Sequence, residues 1–306
     1  MSTNESTHEP TNGSTSEPTR VRAATEETSG ARRDRERPPA PDPLPLPVVD
    51  NHCHLDIADG EWLATREAIE LATSVNVRRI VQIGCDLPGA RWAVAAAAEH
   101  PELIAGVALH PNEAPRVDDL DVAMAEIEEL AGAHDKVRAV GETGLDHFRT
   151  GADGLAVQQE SFRRHIDLAK RLDKTLVVHD RDAHAEVLQI LDEEGAPERW
   201  VMHCFSGDAD FARACLDRGA HLSFAGTITF KNASSIRDAL AITPLHRLLV
   251  ETDAPFLAPT PYRGRPNASY LVPHIVRAMA EVRGDELEGL CHAIDVNTEQ
   301  AFGGAW

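Results

Sequence analysis

From residue 47 onward the chain repeats one pattern: a short β-branched, apolar run, then a longer stretch of helical period. The short runs are PVVDN, RRIVQIG, LIAGVAL, VRAVGE, TLVVH, WVMHC, AHLSFAG and RLLVETD, eight in all. Between them lie segments such as EWLATREAIELATSV, GARWAVAAAAEH, LDVAMAEIEELAGA, AVQQESFRRHIDLAKRL and AHAEVLQILDEEG, whose apolar residues recur at helical spacing. Strand then helix, eight times over, predicts an α/β protein of the (β/α)8 TIM-barrel class. A doubly wound open sheet shares the alternation, but no G-x-G-x-x-G follows the first strand and the chain has no P-loop.

With 306 residues, 42% of them hydrophobic, the chain accommodates one barrel of about 250 residues, assigned here to residues 46–306. Residues 1–45 are rich in Ser, Thr, Glu, Pro and Arg and poor in large apolar side chains. That composition predicts a disordered N-terminal tail that adds nothing to the packed fold. Six Lys/Arg and seven Asp/Glu fall within residues 1–40, so the net charge of −20 is still −19 without them. An acidic surface argues against gripping long stretches of nucleic-acid backbone, though not against short contacts in a pocket where dications offset phosphate charge. No apolar run approaches the roughly 18 residues of a membrane span, so no membrane partner is expected. ARRDRER (31–37) is followed by PPAPDPLPLP, which supplies no apolar helical segment of a signal peptide. Five widely spaced cysteines without a C-x-x-C pair predict reduced thiols and a cytoplasmic location, with Cys53 and Cys204 buried beside histidines.

The polar residues at the strand ends carry the chemistry. In VVDNHCHLDI, His52 and His54 stand two apart, and in a strand residues i and i+2 share a face, so both imidazoles converge on one point. Glu142 ends the fourth strand in AVGETGLD, His179 the fifth in LVVHDRD, His203 the sixth in VMHCFSG and Asp253 the eighth in LLVETDAPFL. In a barrel these ends meet at one face, where catalytic residues sit. Four imidazoles and two carboxylates there are the donor set of a two-metal hydrolase, in which one carboxylate bridges the pair.

The stretches DNHCHLD, GVALHP, GETGLD, VVHDRDA, HCFSG, ETDAPFLAP and YRGRPN, running in order from Val48 to Phe302, resemble those of TatD-family metal-dependent deoxyribonucleases in the amidohydrolase-like superfamily. The resemblance implies that His52, His54, Glu142 and Asp253 bind one cation and that Glu142, His179 and His203 bind the second. Glu142 would be the bridge, a water or hydroxide between the cations the nucleophile, and Asp253 the acceptor of its proton, so that Glu142 and Asp253 are the catalytic pair. The implied reaction is phosphodiester hydrolysis in DNA, removing nucleotides from single-stranded 3′ ends. The implied cofactor is two divalent metal ions, Mg, Mn or Zn: four histidines favour Zn or Mn, while carboxylates and phosphoryl chemistry admit Mg.

Arg181, two residues after His179, and Arg263 and Arg265 in YRGRPN suit phosphate, since a guanidinium holds two phosphate oxygens at once. His110 in ALHP is expected to contact substrate rather than metal, and Phe205 in HCFSG to stack on a base or sugar, with a buried aromatic an equally good reading. Two positions depart from the family pattern: GLDHFR has His147 where an aromatic residue is more usual, and RPNAS lacks the usual acidic residue and proline after Asn267. His165, His184 and His274 fall in helical segments and are expected to be structural or exposed. An amidohydrolase acting on an amide or lactone is the other reading of the donor set. The arginines, and Glu142 in place of a carboxylated lysine, favour the phosphodiester.

Overall fold

The computed structural model describes residues 15–24 and 32–306. Among these, eight parallel strands form one sheet in chain order: β1 (Val48–Cys53), β2 (Val77–Gly84), β3 (Leu103–Val107), β4 (Val137–Asp146), β5 (Thr175–Arg181), β6 (Trp200–Met202), β7 (His221–Phe224) and β8 (Leu248–Val250). All eight runs expected from the sequence are strands, and α1 (Thr65–Ser74), α2 (Leu87–Glu99), α3 (Leu120–Gly132), α4 (Ala152–Arg171), α5 (His184–Glu194), α6 (Ala209–Asp217), α7 (Ser234–Ile242), α8 (Val272–Arg283) and α9 (Leu287–Ala301) alternate with or follow them. The chain is a (β/α)8 barrel. Side-chain caps start several helices: Asp86 accepts from the Gly89 N–H, Asp119 from those of Asp121 and Val122, and Asp208 from those of Asp210 and Phe211.

The seam between β8 and β1 closes mostly through side chains. Asn51 Nδ2 donates to Val250 O and Ser223 Oγ, both at 2.6 Å, and the Asp50 carboxylate accepts from Thr252 N at 2.8 Å and Thr252 Oγ1 at 2.6 Å. Full burial pushes the Asp50 carboxyl up to about 6, against the pull of these donors. Just past the seam the Asp253 N–H donates to His52 O (3.0 Å) and the His54 N–H to Ala254 O (2.7 Å). The two ends of the chain's barrel are thus joined at the residues of interest.

Two apolar cores flank the sheet. The larger lies between strands and helices and includes Trp92, Phe162, Val187 and Ile275. The smaller gathers Val49, Val81, Ile83, Ile104, Ala139, Val177, Val201 and Leu249 with Ala301 and Phe302 from the end of α9. Thr175, the first residue of β5, donates to Ala301 O at 2.6 Å, which locates this plug at the N-terminal end of the barrel.

The expectation of a tail outside the fold is corrected for residues 15–24 and 32–45. Arg20–Val21 pairs in parallel with Ile57–Ala58, Glu17 O accepts from the Trp92 indole at 3.2 Å, Pro38 O from Tyr270 Oη at 2.6 Å, and Leu44 is buried. Arg22, Arg33 and Arg35 converge on Asp59, which is 1% exposed. Low apolar content hides this docking because, Leu44 aside, the anchors are mostly ion pairs and hydrogen bonds. The remaining tail residues, 1–14 and 25–31, lie outside the described residues.

Candidate metal centre

Glu142 is aimed by an irregularity in its strand. Along β4, Gly141 stands opposite Val177 and Thr143 opposite Val178, so Glu142 is an extra residue in the ladder, a bulge of the kind that redirects a side chain. The glycines on either side are required: a Cβ on Gly141 (φ +155°) would lie 2.5 Å from the Val177 Cβ, and one on Gly144 (φ +142°) 2.0 Å from His179 O. The register of β1 also shifts between Asp50 and Cys53, the segment carrying His52. His203 follows β6 directly, and Asp253 (φ +53°) holds a left-handed backbone three residues past β8.

The two oxygens of Glu142 face different partners. Oε1 lies 2.6 Å from His179 Nδ1, 2.9 Å from His203 Nε2 and 3.4 Å from His110 Nε2. Oε2 lies 3.3 Å from His52 Nε2, 3.8 Å from His54 Nε2 and 3.5 Å from Cys85 Sγ. Asp253 Oδ1 closes the second side, 3.4 Å from His54 Nε2 and 3.9 Å from His52 Nε2. All six sequence-predicted ligands therefore come together, and His110, expected at the substrate, stands in one donor group with Glu142 and His179.

His52 tests whether these residues suit a cation. It is fully buried, and neither ring nitrogen has a hydrogen-bond partner. Burial, reinforced by His203 stacked at 3.9 Å, pushes its pKa down to about 3, so a neutral imidazole points a bare nitrogen at two carboxylates. Such an arrangement leaves a buried polar atom unsatisfied unless a Lewis acid lies between. Burial alone would raise the Glu142 carboxyl, but His203 and His110 outweigh it and hold the group well below the usual range, ionised as a ligand must be.

Three supporting residues escaped the sequence reading. Glu251, fully buried, accepts from His203 Nδ1 (3.1 Å) and the Cys204 N–H (2.9 Å), which makes Nδ1 the donor and turns Nε2 toward Glu142. Asp146 lies 3.4 Å from His179 Nε2 and accepts from Asn112 Nδ2 and the Phe148 and Arg149 N–H groups. Burial opposes its ionisation, yet His179, Asn112 and the Arg149 amide lower its pKa. Cys85 is the third. A second acidic residue beside each motif, as in ETD and GLD, was the available clue.

The rim differs in part from expectation. Arg181 ends β5 half-buried with its guanidinium 3.9 Å from the centroid of Phe148, a ring that is 60% exposed. Arg263 is exposed and lies over Phe230, whereas Arg265 donates to Glu36 O and Arg37 O in the N-terminal segment. Phe205, expected to stack on substrate, is corrected: it is 1% exposed and packs against Phe211 and Phe224 in the core. His147 faces Glu186 at 2.9 Å, and His165 is buried, accepting from the Leu109 N–H.

A family model described as TatD-related DNase matches residues 49–303. The chain belongs to the TatD family. It is 44% identical over 264 residues to a Mycobacterium tuberculosis protein named an uncharacterized metal-dependent hydrolase, TatD, covering 85% of this chain and 99% of that one. Against the uncharacterized metal-dependent hydrolase YcfH of Escherichia coli K12 it is 37% identical, covering 83% and 95%. The crystal structure of YJJV, a TatD homolog from Escherichia coli K12, superposes with a TM-score of 0.78 at 29% identity over 84% of this chain and 98% of that one. This TatD-family protein is a metal-dependent hydrolase, and its donor cluster sits at the barrel face where such enzymes work.

Proposed function

We propose that this TatD-family hydrolase cleaves phosphodiester bonds in DNA, as a 3′–5′ exonuclease on single-stranded ends, with two divalent cations drawn from Mg, Mn and Zn. The division of Glu142 carries the reading: one oxygen faces His52, His54 and, beyond them, Asp253, the other His179 and His203. His52, His54, Asp253 and Glu142 Oε2 would hold one cation, and Glu142 Oε1, His179 and His203 the other, with His110 beside it. Bound divalent cations lower the pKa of water from 15.7 toward about 7 and offset phosphate charge.

The chain's own residues do the rest. Asp253, its carboxylate 15% exposed at the pocket mouth, accepts the proton released as water attacks phosphorus. Glu251 and Asp146 keep His203 and His179 in one orientation, so the donor geometry is prepared in advance. Arg181 and Arg263 at the rim bind the phosphates flanking the scissile bond. Five unpaired cysteines suit a reducing compartment, and we read the enzyme as cytoplasmic.

End-labelled single-stranded oligonucleotides, circular single-stranded DNA, RNA and a lactone, each assayed with Mg, Mn or Zn, test the proposal. Prompt release of mononucleotides from linear DNA with the circle intact is the expected result. Rapid cutting of the circle overturns the exonuclease reading. Lactone turnover without any phosphodiester cleavage overturns the nuclease.

A further inference from the structure

Cys85 follows β2 directly, on the strand beside β1, and its backbone is fixed from both sides. Its carbonyl accepts from the His110 N–H at 2.8 Å, and the next residue, Asp86, caps α2. The side chain consequently points into the pocket. Sγ lies 3.5 Å from Glu142 Oε2 and 3.7 Å from His54 Nδ1. The donor atoms of His54, Cys85 and Glu142 lie within 4.8 Å of one another. His54 Nδ1 is engaged by Ile83 O at 2.9 Å, which leaves Nε2 as its free donor. Independently, the unpartnered and fully buried Nε2 of His52 faces the same Glu142 Oε2 at 3.3 Å. Nitrogen, oxygen and sulfur donors thus surround one point.

We propose that Cys85 is a sulfur ligand of the cation on the His52–His54 side and makes that side select a thiophilic ion of the zinc class over magnesium. The inference rests on the metal-binding reading above. A thiol that ligates a dication loses its proton outright, so the metal–sulfur bond forms as the S–H proton passes to solvent. A soft thiolate favours zinc and similar ions, whereas magnesium is held by oxygen donors. On the other side of Glu142, the donor group of His110, Glu142 and His179 contains no sulfur among the described residues. The two positions would then differ in preference, one thiophilic and one not.

Cobalt(II) titration of the full-length protein, stripped of metal, tests this. The expected spectrum has visible d–d bands together with a thiolate-to-cobalt charge-transfer band in the near ultraviolet. Cys85→Ser and Cys85→Ala should each lose the charge-transfer band and keep the d–d bands, while Cys204→Ser keeps both. Zinc affinity, read by competition with a chromophoric chelator, should fall at least about 10-fold in Cys85→Ser, the low end of what losing an outer-shell partner does, with magnesium affinity unchanged. Visible bands without charge transfer, or a charge-transfer band that survives both Cys85 variants, overturn the sulfur ligand and leave the metal centre standing. No cobalt spectrum of any kind overturns the ligand and the metal centre together.

Discussion

At the N-terminal end of the barrel Phe302 and Ala301 cluster with Val49, Val81, Ile104, Ala139, Val177 and Leu249. At the C-terminal end three of the same strands, β1, β4 and β5, carry His52, Glu142 and His179. Both ends are buried, so burial does not separate them. What separates them is whether the buried atoms are satisfied. The lower end is mostly apolar and its buried Thr175 hydroxyl is hydrogen-bonded, whereas the upper end holds a histidine with no partner at either nitrogen and a carboxylate shared among five imidazoles and a thiol. One end stabilises the fold. The other draws on that stability to keep donors ready for an ion, and one sequence performs both tasks by changing side-chain chemistry every few residues along each strand.

The sharpest way to break this contrast is Glu142→Gln. Hydrolysis should fall to background and metal content should drop, while the melting temperature in chelator should not decrease, since the upper end adds little stability without its ion. Retention of two metals and near-normal turnover would remove Glu142 from the centre.

Phe302→Ala probes the other end and should behave in reverse. Emptying a buried phenyl site of this kind costs about 3–5 kcal/mol, so denaturant unfolding should shift strongly while the folded fraction keeps its metal content. An unchanged midpoint would show that the plug is not what closes the barrel.

Deleting residues 1–40 should have a smaller effect, a loss of about 1.5–3 kcal/mol, the range for hydrogen bonds to charged groups. Arg22 spans both regions, since it donates to Asp59 and to Pro255 O and lies over Phe256, close to Asp253. Activity is therefore expected to drop modestly along with the melting temperature; a truncated chain indistinguishable from the full one would return this segment to the status of a tail.

The smallest expected effect is the response of DNA binding to salt. With a net charge of −19 outside residues 1–40, the proposed function has only the pocket and a few rim residues to contact phosphate. The logarithm of affinity should fall against the logarithm of salt with a slope of only about −1 to −3 on single strands. A much steeper slope would place a long phosphate track on the surface.

Strand positions and the convergence of the six donor side chains were readable from the chain because both follow local rules: apolar runs of strand length, and polar residues at their ends. Residues acting through another residue were harder to see. Glu251 and Asp146 sit beside their motifs, yet nothing local says that Glu251 meets His203, 48 positions away. Cys85 drew no notice because a single thiol after a strand resembles any buried cysteine. Phe205 could be read either as a stacking or as a buried ring, and only Phe211 and Phe224 packed against it decide for the core. The N-terminal segment was misread because composition reports apolar content and is silent about which carboxylate awaits an arginine.

Asp59 gathers Arg22, Arg33 and Arg35 onto one carboxylate. The arrangement gives the two sides of the contact unequal tolerance to change. Replacing any one arginine leaves two cations on the carboxylate, so a lost positive charge is buffered, and the segment upstream of the barrel can drift in sequence one arginine at a time. Replacing Asp59 releases all three at once. A change of charge is thus cushioned on the arginine side of this contact and not on the aspartate side.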